Sequence, residues 1–154
     1  PLEEGVNVPT PSTYTAHYSP RPSMTKEEIL QRLELPNFTI WDARSPEEYL
    51  GIRHGAQKNG HIPGAVNYEW TRALDRRNGL RIRNLEEVRQ ELAALGISAD
   101  RHVVTHCQSH HRSGFTYLLG KILGFDNIQA YPGSWSEWGN DPHTPVETGA
   151  PHSS

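Results

Sequence analysis

Thr105-His-Cys-Gln-Ser-His-His-Arg-Ser-Gly114 holds the single cysteine of the chain, and the reading of this stretch decides the fold. Just before it, Val103–His106 is a β-branched run that predicts a central strand. Just after it, Phe115, Leu118, Leu119, Ile122 and Leu123 recur at helical spacing until Gly124 stops them. Cys107 therefore stands on a strand-to-helix turn. In open α/β sheets that edge, beyond the carboxyl ends of the strands, is where ligands bind.

The same alternation extends in both directions. Thr25 and Glu28 form a capping box ahead of Ile29, Leu30 and Leu33, which share a helix face. Phe38–Trp41 reads as a buried strand ending at Asp42, and Ser45-Pro46-Glu47-Glu48 starts a short helix running to Leu50. Residues 51–64, rich in Gly, His and Lys, are expected to form a surface loop, and Ala65–Tyr68 a further strand. Asn84 and Glu87 cap a helix whose stripe is Leu85, Val88, Leu92 and Leu95, with Gly96 as its stop. Ile128–Ala130 is the last strand, ahead of the aromatic segment Tyr131–Trp138. Short strands alternating with capped helices predict an α/β domain with a mainly parallel sheet. The expected division is a Pro/Ser/Thr-rich lead over 1–22, with a first strand within 13–18, then a catalytic domain over 23–147 and a tail over 148–154.

The turn has a chemical consequence. Backbone N–H groups ahead of a helix converge and favour an anion. A thiolate is such an anion, and an ordinary thiol is only a few per cent ionised at neutral pH. A depression of two units, worth about 2.7 kcal/mol, makes it mostly thiolate. The helix terminus and Arg112 are the candidate sources of that stabilisation. A lone cysteine is often a small buried hydrophobe. Here Gln108, Ser109, His110, His111, Arg112 and Ser113 are all polar, which favours a reactive cysteine. A zinc site is the third reading. His106, Cys107, His110 and His111 are close in sequence, but a second ligand pair would have to come from His54 and His61, and nothing in the spacing specifies it.

Composition narrows the function classes. A chain of 154 residues, 34% apolar and 21% charged, is sufficient for one domain with a core. A net charge of −3 supplies no attraction to nucleic acid or membrane by itself. No apolar run has the length of a membrane span, and no basic-then-apolar signal opens the chain. One cysteine allows no internal disulfide and suits a reducing, cytoplasmic setting. Asn37-Phe38-Thr39 matches the glycosylation pattern, but without a secretory signal it is read as chance. The chain opens at Pro1 and not Met, as expected of a processed chain or a piece of a longer one.

Four segments in order now bring a family into view: Trp41-Asp-Ala-Arg-Ser-Pro-Glu-Glu-Tyr-Leu-Gly51, Gly60-His-Ile-Pro-Gly-Ala65, Cys107-Gln-Ser-His-His-Arg112 and Gly133-Ser-Trp-Ser-Glu-Trp-Gly139. Over about residues 25–147 the chain resembles the rhodaneses, sulfurtransferases with a six-residue active-site loop. It is most similar to the C-terminal catalytic domain of bacterial tandem-domain thiosulfate sulfurtransferases of the Azotobacter type. The resemblance implies a five-stranded, mainly parallel sheet with helices on both faces. It implies ping-pong chemistry, in which Cys107 takes a sulfane sulfur from thiosulfate as a persulfide and cyanide or a thiol removes it. No cofactor and no metal is implied, and an N-terminal rhodanese domain of the same protein is an implied partner.

Carried over by position, Cys107 is the nucleophile, Gln108–Arg112 the backbone cradle, and Ser113 the start of the helix. Arg112 orients the loop or holds the donor's oxyanion. Asp42 and Arg44 support the loop and pocket rim, or form a structural ion pair. Glu69, Trp70, Arg81 and Arg83 are candidates to line the pocket, and Trp135 to wall it, although Trp135 and Trp138 are most simply packing residues. His61 is expected to be structural. Ser109 stands where some of these enzymes carry a basic residue, and the Gly-Ser-Gly run of the 3-mercaptopyruvate enzymes is absent, so thiosulfate is the default donor, with 3-mercaptopyruvate the first alternative and a protein persulfide a further one. A phosphatase or arsenate reductase places five residues between cysteine and arginine, a wider cradle than the four present here. A non-catalytic rhodanese-like module is the last alternative, disfavoured because the cysteine and its polar loop are both kept.

Overall fold

In the computed structural model, which describes residues 4–6, 8–17 and 22–149, the capped segments fold where their local signals put them. In chain order they are α1 (Lys26–Leu30), β1 (Phe38–Asp42), α2 (Pro46–Tyr49), β2 (Val66–Asn67), a 3-10 turn (Trp70–Ala73), β3 (Leu74–Asp75), β4 (Arg81–Ile82), α3 (Leu85–Ala94), β5 (His102–His106), α4 (His111–Ile122), β6 (Ile128–Ala130) and α5 (Ser134–Trp138). Both expected capping boxes close: Thr25 with Glu28 ahead of α1, and Ser45 with Glu48 ahead of α2. Asn84 accepts from the N–H groups of Glu86 and Glu87 and so starts α3.

The main sheet has four parallel strands in the order β2-β1-β5-β6, not the five expected. Among the described residues the fifth position is a single parallel bridge between Ser23 and Ala130 at the β6 edge. Ala130 N–H donates to Pro22 O, and Met24 N–H donates to Ala130 O. Pro22 has no N–H to extend this pairing, and Thr25 turns the chain into α1 two residues after Ser23. Residues 13–17 carry no strand, and Tyr18 lies outside the described residues. A small antiparallel sheet, β3 with β4, was not anticipated.

From β1 the chain moves to one side for β2 and then to the other for β5 and β6. The direction of winding therefore reverses between β1 and β5. In such sheets the crevice at the carboxyl ends of the two strands flanking the reversal is the preferred ligand site. Asp42 ends β1, and Cys107 follows β5, so both stand at that point.

Alternation along the central strands sends neighbours to opposite faces. Trp41 and Val103 pack with Val88, Leu92, Leu119 and Leu123 under α3 and α4. Ile40 and Val104 pack with Ile29, Tyr49, Trp135 and Trp138 under α1, α2 and α5. Helices thus cover both faces. The segment over 51–64 departs from a plain surface loop at its end, where Gly60, His61 and Ile62 are buried. His61 N–H donates to Glu147 O, its ring stacks on Tyr49 at 3.7 Å, and its Nδ1 lies 2.8 Å from Tyr49 O. Gly60 has φ 119, and a Cβ there would lie 2.0 Å from Glu147 O, so only glycine fits.

Candidate active site

Cys107 is 1% exposed and lies at the floor of a loop whose backbone is turned inward by two devices. The carbonyls of Cys107 and Gln108 accept from Trp135 N–H and Ser136 N–H, both at 2.9 Å, at the start of α5. With those carbonyls held outward, the loop amides are free to face the sulfur. His110, the N-cap of α4, has φ 68, a left-handed conformation that costs a non-glycine residue about 1 kcal/mol and bends the loop back on itself.

The Ser113 hydroxyl donates to Cys107 Sγ at 3.4 Å. His110 Nδ1 lies 2.8 Å from the same hydroxyl oxygen. Because the hydroxyl hydrogen goes to sulfur, the network assigns Nδ1 as the donor of the second bond. Burial, and then the neighbouring His111, push the His110 pKa down, so it serves as a neutral donor. Burial also opposes ionisation of Cys107. The Ser113 hydroxyl, the N–H groups of Ser113 and Ser109, and the Arg112 charge outweigh it and hold the thiol below its ordinary value.

A hydrogen bond to a charged acceptor is worth about 1.5–3 kcal/mol. Ser113→Ala is therefore expected to raise the thiol pKa and slow iodoacetamide alkylation at neutral pH by about tenfold. The check is the pH profile of alkylation, whose midpoint moves upward. An unchanged midpoint would show that the backbone donors act alone.

Arg112 is held by a residue that the sequence reading used only as a helix cap. Its Nη1 and Nη2 donate to Glu48 Oε2 and Oε1 at 2.7 and 2.8 Å, a parallel pair of bonds. Glu48 Oε2 also accepts from Ser45 N–H at 3.0 Å. The capping pattern was visible in sequence, but nothing there showed that its carboxylate faces Arg112. Ser134 was likewise missed. Its φ is 53, its hydroxyl donates to Tyr131 O at 2.9 Å, and it accepts from Cys107 N–H at 3.4 Å.

Behind the loop, Arg44 and Asp42 form an ion pair with both side chains at 2% exposure or less. Arg44 Nη2 donates to Asp42 Oδ2 at 2.6 Å and to Gly60 O at 2.8 Å, and its guanidinium lies 4.3 Å over the Trp135 ring. His106 is fully buried between this pair and the cysteine. Its Nδ1 lies 3.2 Å from Cys107 O and its Nε2 3.6 Å from Asp42 Oδ2. Burial pushes its pKa down despite the Asp42 charge.

The remaining candidates divide. Gln108 Nε2 donates to Gly55 O at 2.9 Å and ties the loop before Gly60 to the cysteine loop. Ser109 and His111 are exposed at the rim. Trp135 lies beneath the loop, with its indole N–H donating to Lys58 O at 3.2 Å. Trp70 packs edge-on against Phe115 of α4 at 5.9 Å. Glu69 and Arg83 go elsewhere: both line a separate open cleft of about 730 Å³, and Arg83 donates to Glu87 and Glu91 of α3. Arg81 is exposed on β4. The histidines that prompted a metal reading diverge, one inward, one to Ser113 and one to solvent. Among the described residues no group of three or more His, Cys, Asp or Glu side chains is placed to hold an ion.

Comparison with known proteins agrees with this geometry. The chain is 52% identical over 126 residues to a thiosulfate sulfurtransferase of Pseudomonas aeruginosa, covering 82% of this chain and 46% of that protein. It is 48% identical over 147 residues to a thiosulfate sulfurtransferase of Azotobacter vinelandii, covering 96% of this chain and 54% of that one. It thus spans about half the length of these relatives. Among solved structures, wild-type EanB superposes with a TM-score of 0.79 at 27% identity, covering 86% of this chain and 32% of EanB. The family described as Rhodanese-like domain matches residues 25–141, most of the described chain, and it is to that family that this protein belongs.

Proposed function

We propose that the chain is a sulfurtransferase that moves a sulfane sulfur from thiosulfate to cyanide or a thiol through a Cys107 persulfide. The observation that carries this reading is the convergence of the Ser113 hydroxyl and the Ser109 and Ser113 N–H groups on one sulfur, in a loop with only four residues between Cys107 and Arg112. Such a cradle stabilises an anionic sulfur, first as thiolate and then as terminal persulfide. The relatives from Pseudomonas and Azotobacter carry the activity in their names and support the choice of donor.

In the first half-reaction the thiolate attacks the outer sulfur of thiosulfate. The sulfur–sulfur bond of the donor breaks, and sulfite departs with the electron pair. In the second, cyanide attacks the terminal sulfur, thiocyanate leaves, and the pair returns to Cys107 as thiolate. Arg112 acts chiefly by fixing the loop and by its charge, because its paired N–H groups are already taken by Glu48. Asp42, Arg44 and Trp135 form the rigid support behind and beneath it.

The catalytic unit is placed at 23–147. Ser23 and Glu147 are the outermost residues bridged to the core, to Ala130 and His61 respectively. Residues 1–22 serve as a lead and 148–154 as a tail, and a further rhodanese domain is the proposed covalent partner. Among the described residues no helix is long and apolar enough to cross a membrane. A single thiol suits the reducing cytoplasm, the location proposed.

Intact-mass spectrometry after incubation with thiosulfate tests the reading. A gain of one sulfur atom is expected in the unmodified chain and none in Cys107→Ala. Failure of any such adduct to form, together with Cys107-dependent hydrolysis of an aryl phosphate, would move the assignment to the phosphatases.

A further inference from the structure

Five arginines, Arg72, Arg76, Arg77, Arg81 and Arg83, crowd into the twelve residues from 72 to 83, in a chain whose net charge is −3. They surround the β3–β4 hairpin, and the structure treats them in two ways. Arg72 and Arg83 are paired with Glu91 of α3 at 3.7 and 2.8 Å, and Arg72 also stacks 4.3 Å over Tyr68. Arg76, Arg77 and Arg81 are exposed, and among the described residues none has an ion-pair partner. Asp75, the obvious candidate, accepts instead from Arg77 N–H at 2.9 Å. The hairpin thus presents uncompensated positive charge.

It also presents apolar surface. Leu80 is 61% exposed at φ 59, following Gly79 at φ 64, and Ile82 is 37% exposed. Its N–H bond to Asp75 O at 3.0 Å holds Leu80 in that left-handed conformation, which costs a branched residue about 1–2 kcal/mol. Arginine is enriched at protein interfaces, and the exposed Leu80 and Ile82 add apolar contact area beside it. A nucleic acid would draw on charge alone and leave the exposed Leu80 and Ile82 side chains without a partner.

Position supplies the last element. The 3-10 turn leading into the hairpin follows the carboxyl end of β2, Trp70 N–H donates to Ala43 O at 3.2 Å, and the Trp70 ring packs on Phe115 of α4. The turn at the base of the hairpin therefore packs on α4, the helix that follows the Cys107 loop.

Resting on the sulfurtransferase reading, we infer that the Leu74–Ile82 hairpin docks an acidic polypeptide whose cysteine accepts the sulfur from Cys107. The acceptor thiolate bonds to the terminal sulfur of the persulfide, the bond from that sulfur to Cys107 Sγ breaks, and Cys107 leaves as thiolate. The acceptor becomes the persulfide, with no external oxidant or reductant.

The test uses two fluorescent peptides that differ only in whether a central cysteine is flanked by glutamates or by lysines. At low salt the acidic peptide is expected to bind the reduced chain about tenfold more tightly, a preference lost at high salt. Arg76→Glu/Arg77→Glu is expected to abolish the preference, and Arg76→Gln/Arg77→Gln to reduce it, while both leave the thiosulfate:cyanide rate within about twofold. Transfer rates from the persulfidated chain should show the same ratio. A peptide preference that survives both variants overturns the inference. So does a single-stranded DNA of equal charge that binds more tightly through the same arginines. Absence of a persulfide would count against the proposed function alone, since peptide binding is read without it.

Discussion

Cys107→Ser is expected to abolish thiosulfate:cyanide sulfur transfer, lowering turnover by at least about 10³-fold. The substitution keeps the volume and the polar cradle but replaces an ionisable sulfur with a hydroxyl that stays protonated at neutral pH. Neither Ser109 nor Ser113 can stand in, for the same reason, and no second cysteine exists in the chain. The donors around Cys107 favour an anion, and a neutral hydroxyl gains little from them. Thiocyanate formation is the direct measurement, with thermal unfolding as a control expected to move by only a few degrees. Residual turnover within tenfold of the parent would mean that sulfur passes between donor and acceptor without a covalent stage.

Asp42→Ala should destabilise the fold by about 3–5 kcal/mol, because it leaves a buried guanidinium without its counter-charge. Arg44 donates to Asp42 through Nε at 3.0 and 3.1 Å and through Nη2 at 2.6 Å, and its backbone N–H adds another bond at 3.0 Å. The other contacts of the Arg44 guanidinium, Gly60 O and the Trp135 ring, carry no full charge. Urea unfolding measures the loss. A cost under about 1 kcal/mol would show that water reaches Arg44 readily once the carboxylate is gone.

The same cluster sets an acid sensitivity. Burial resists ionisation of Asp42, but the Arg44 charge and its bonds hold the carboxyl below its ordinary value, with His106 adding charge only once it is protonated. A depressed pKa contributes stability above the unfolded value and loses it as pH falls through the folded one. His106, also depressed, behaves alike, with its contribution complete only above an unfolded pKa of about 6.5. Stability is therefore expected to fall in two stages on acidification, first through the histidine range and then through the carboxylate range. Asp42→Ala should remove the second.

Local chemistry determined most of the secondary structure. Capping boxes at Thr25 and Ser45, the asparagine cap at Asn84, and the glycines after α3 and α4 act within one turn, so they could be read directly. The placement of Cys107 between a β-branched strand and an amphipathic helix was equally local. The fifth strand misled because a strand exists only through its partners, and Pro22 withholds the N–H that pairing needs. The β3–β4 hairpin escaped notice because each strand is two residues long, too short for alternation to register. Tertiary structure alone decided that Glu48 faces Arg112 across 64 residues, that Ser134 reaches the cysteine amide, and that Glu69 and Arg83 turn away toward α3. Side-chain orientation at such separations depends on how the sheet winds and where α2 and α5 dock, and a pattern of residue types along the chain carries no such distances. The sequence by itself thus placed Cys107, the proposed nucleophile, on its turn, while folding supplied the groups that close around its sulfur.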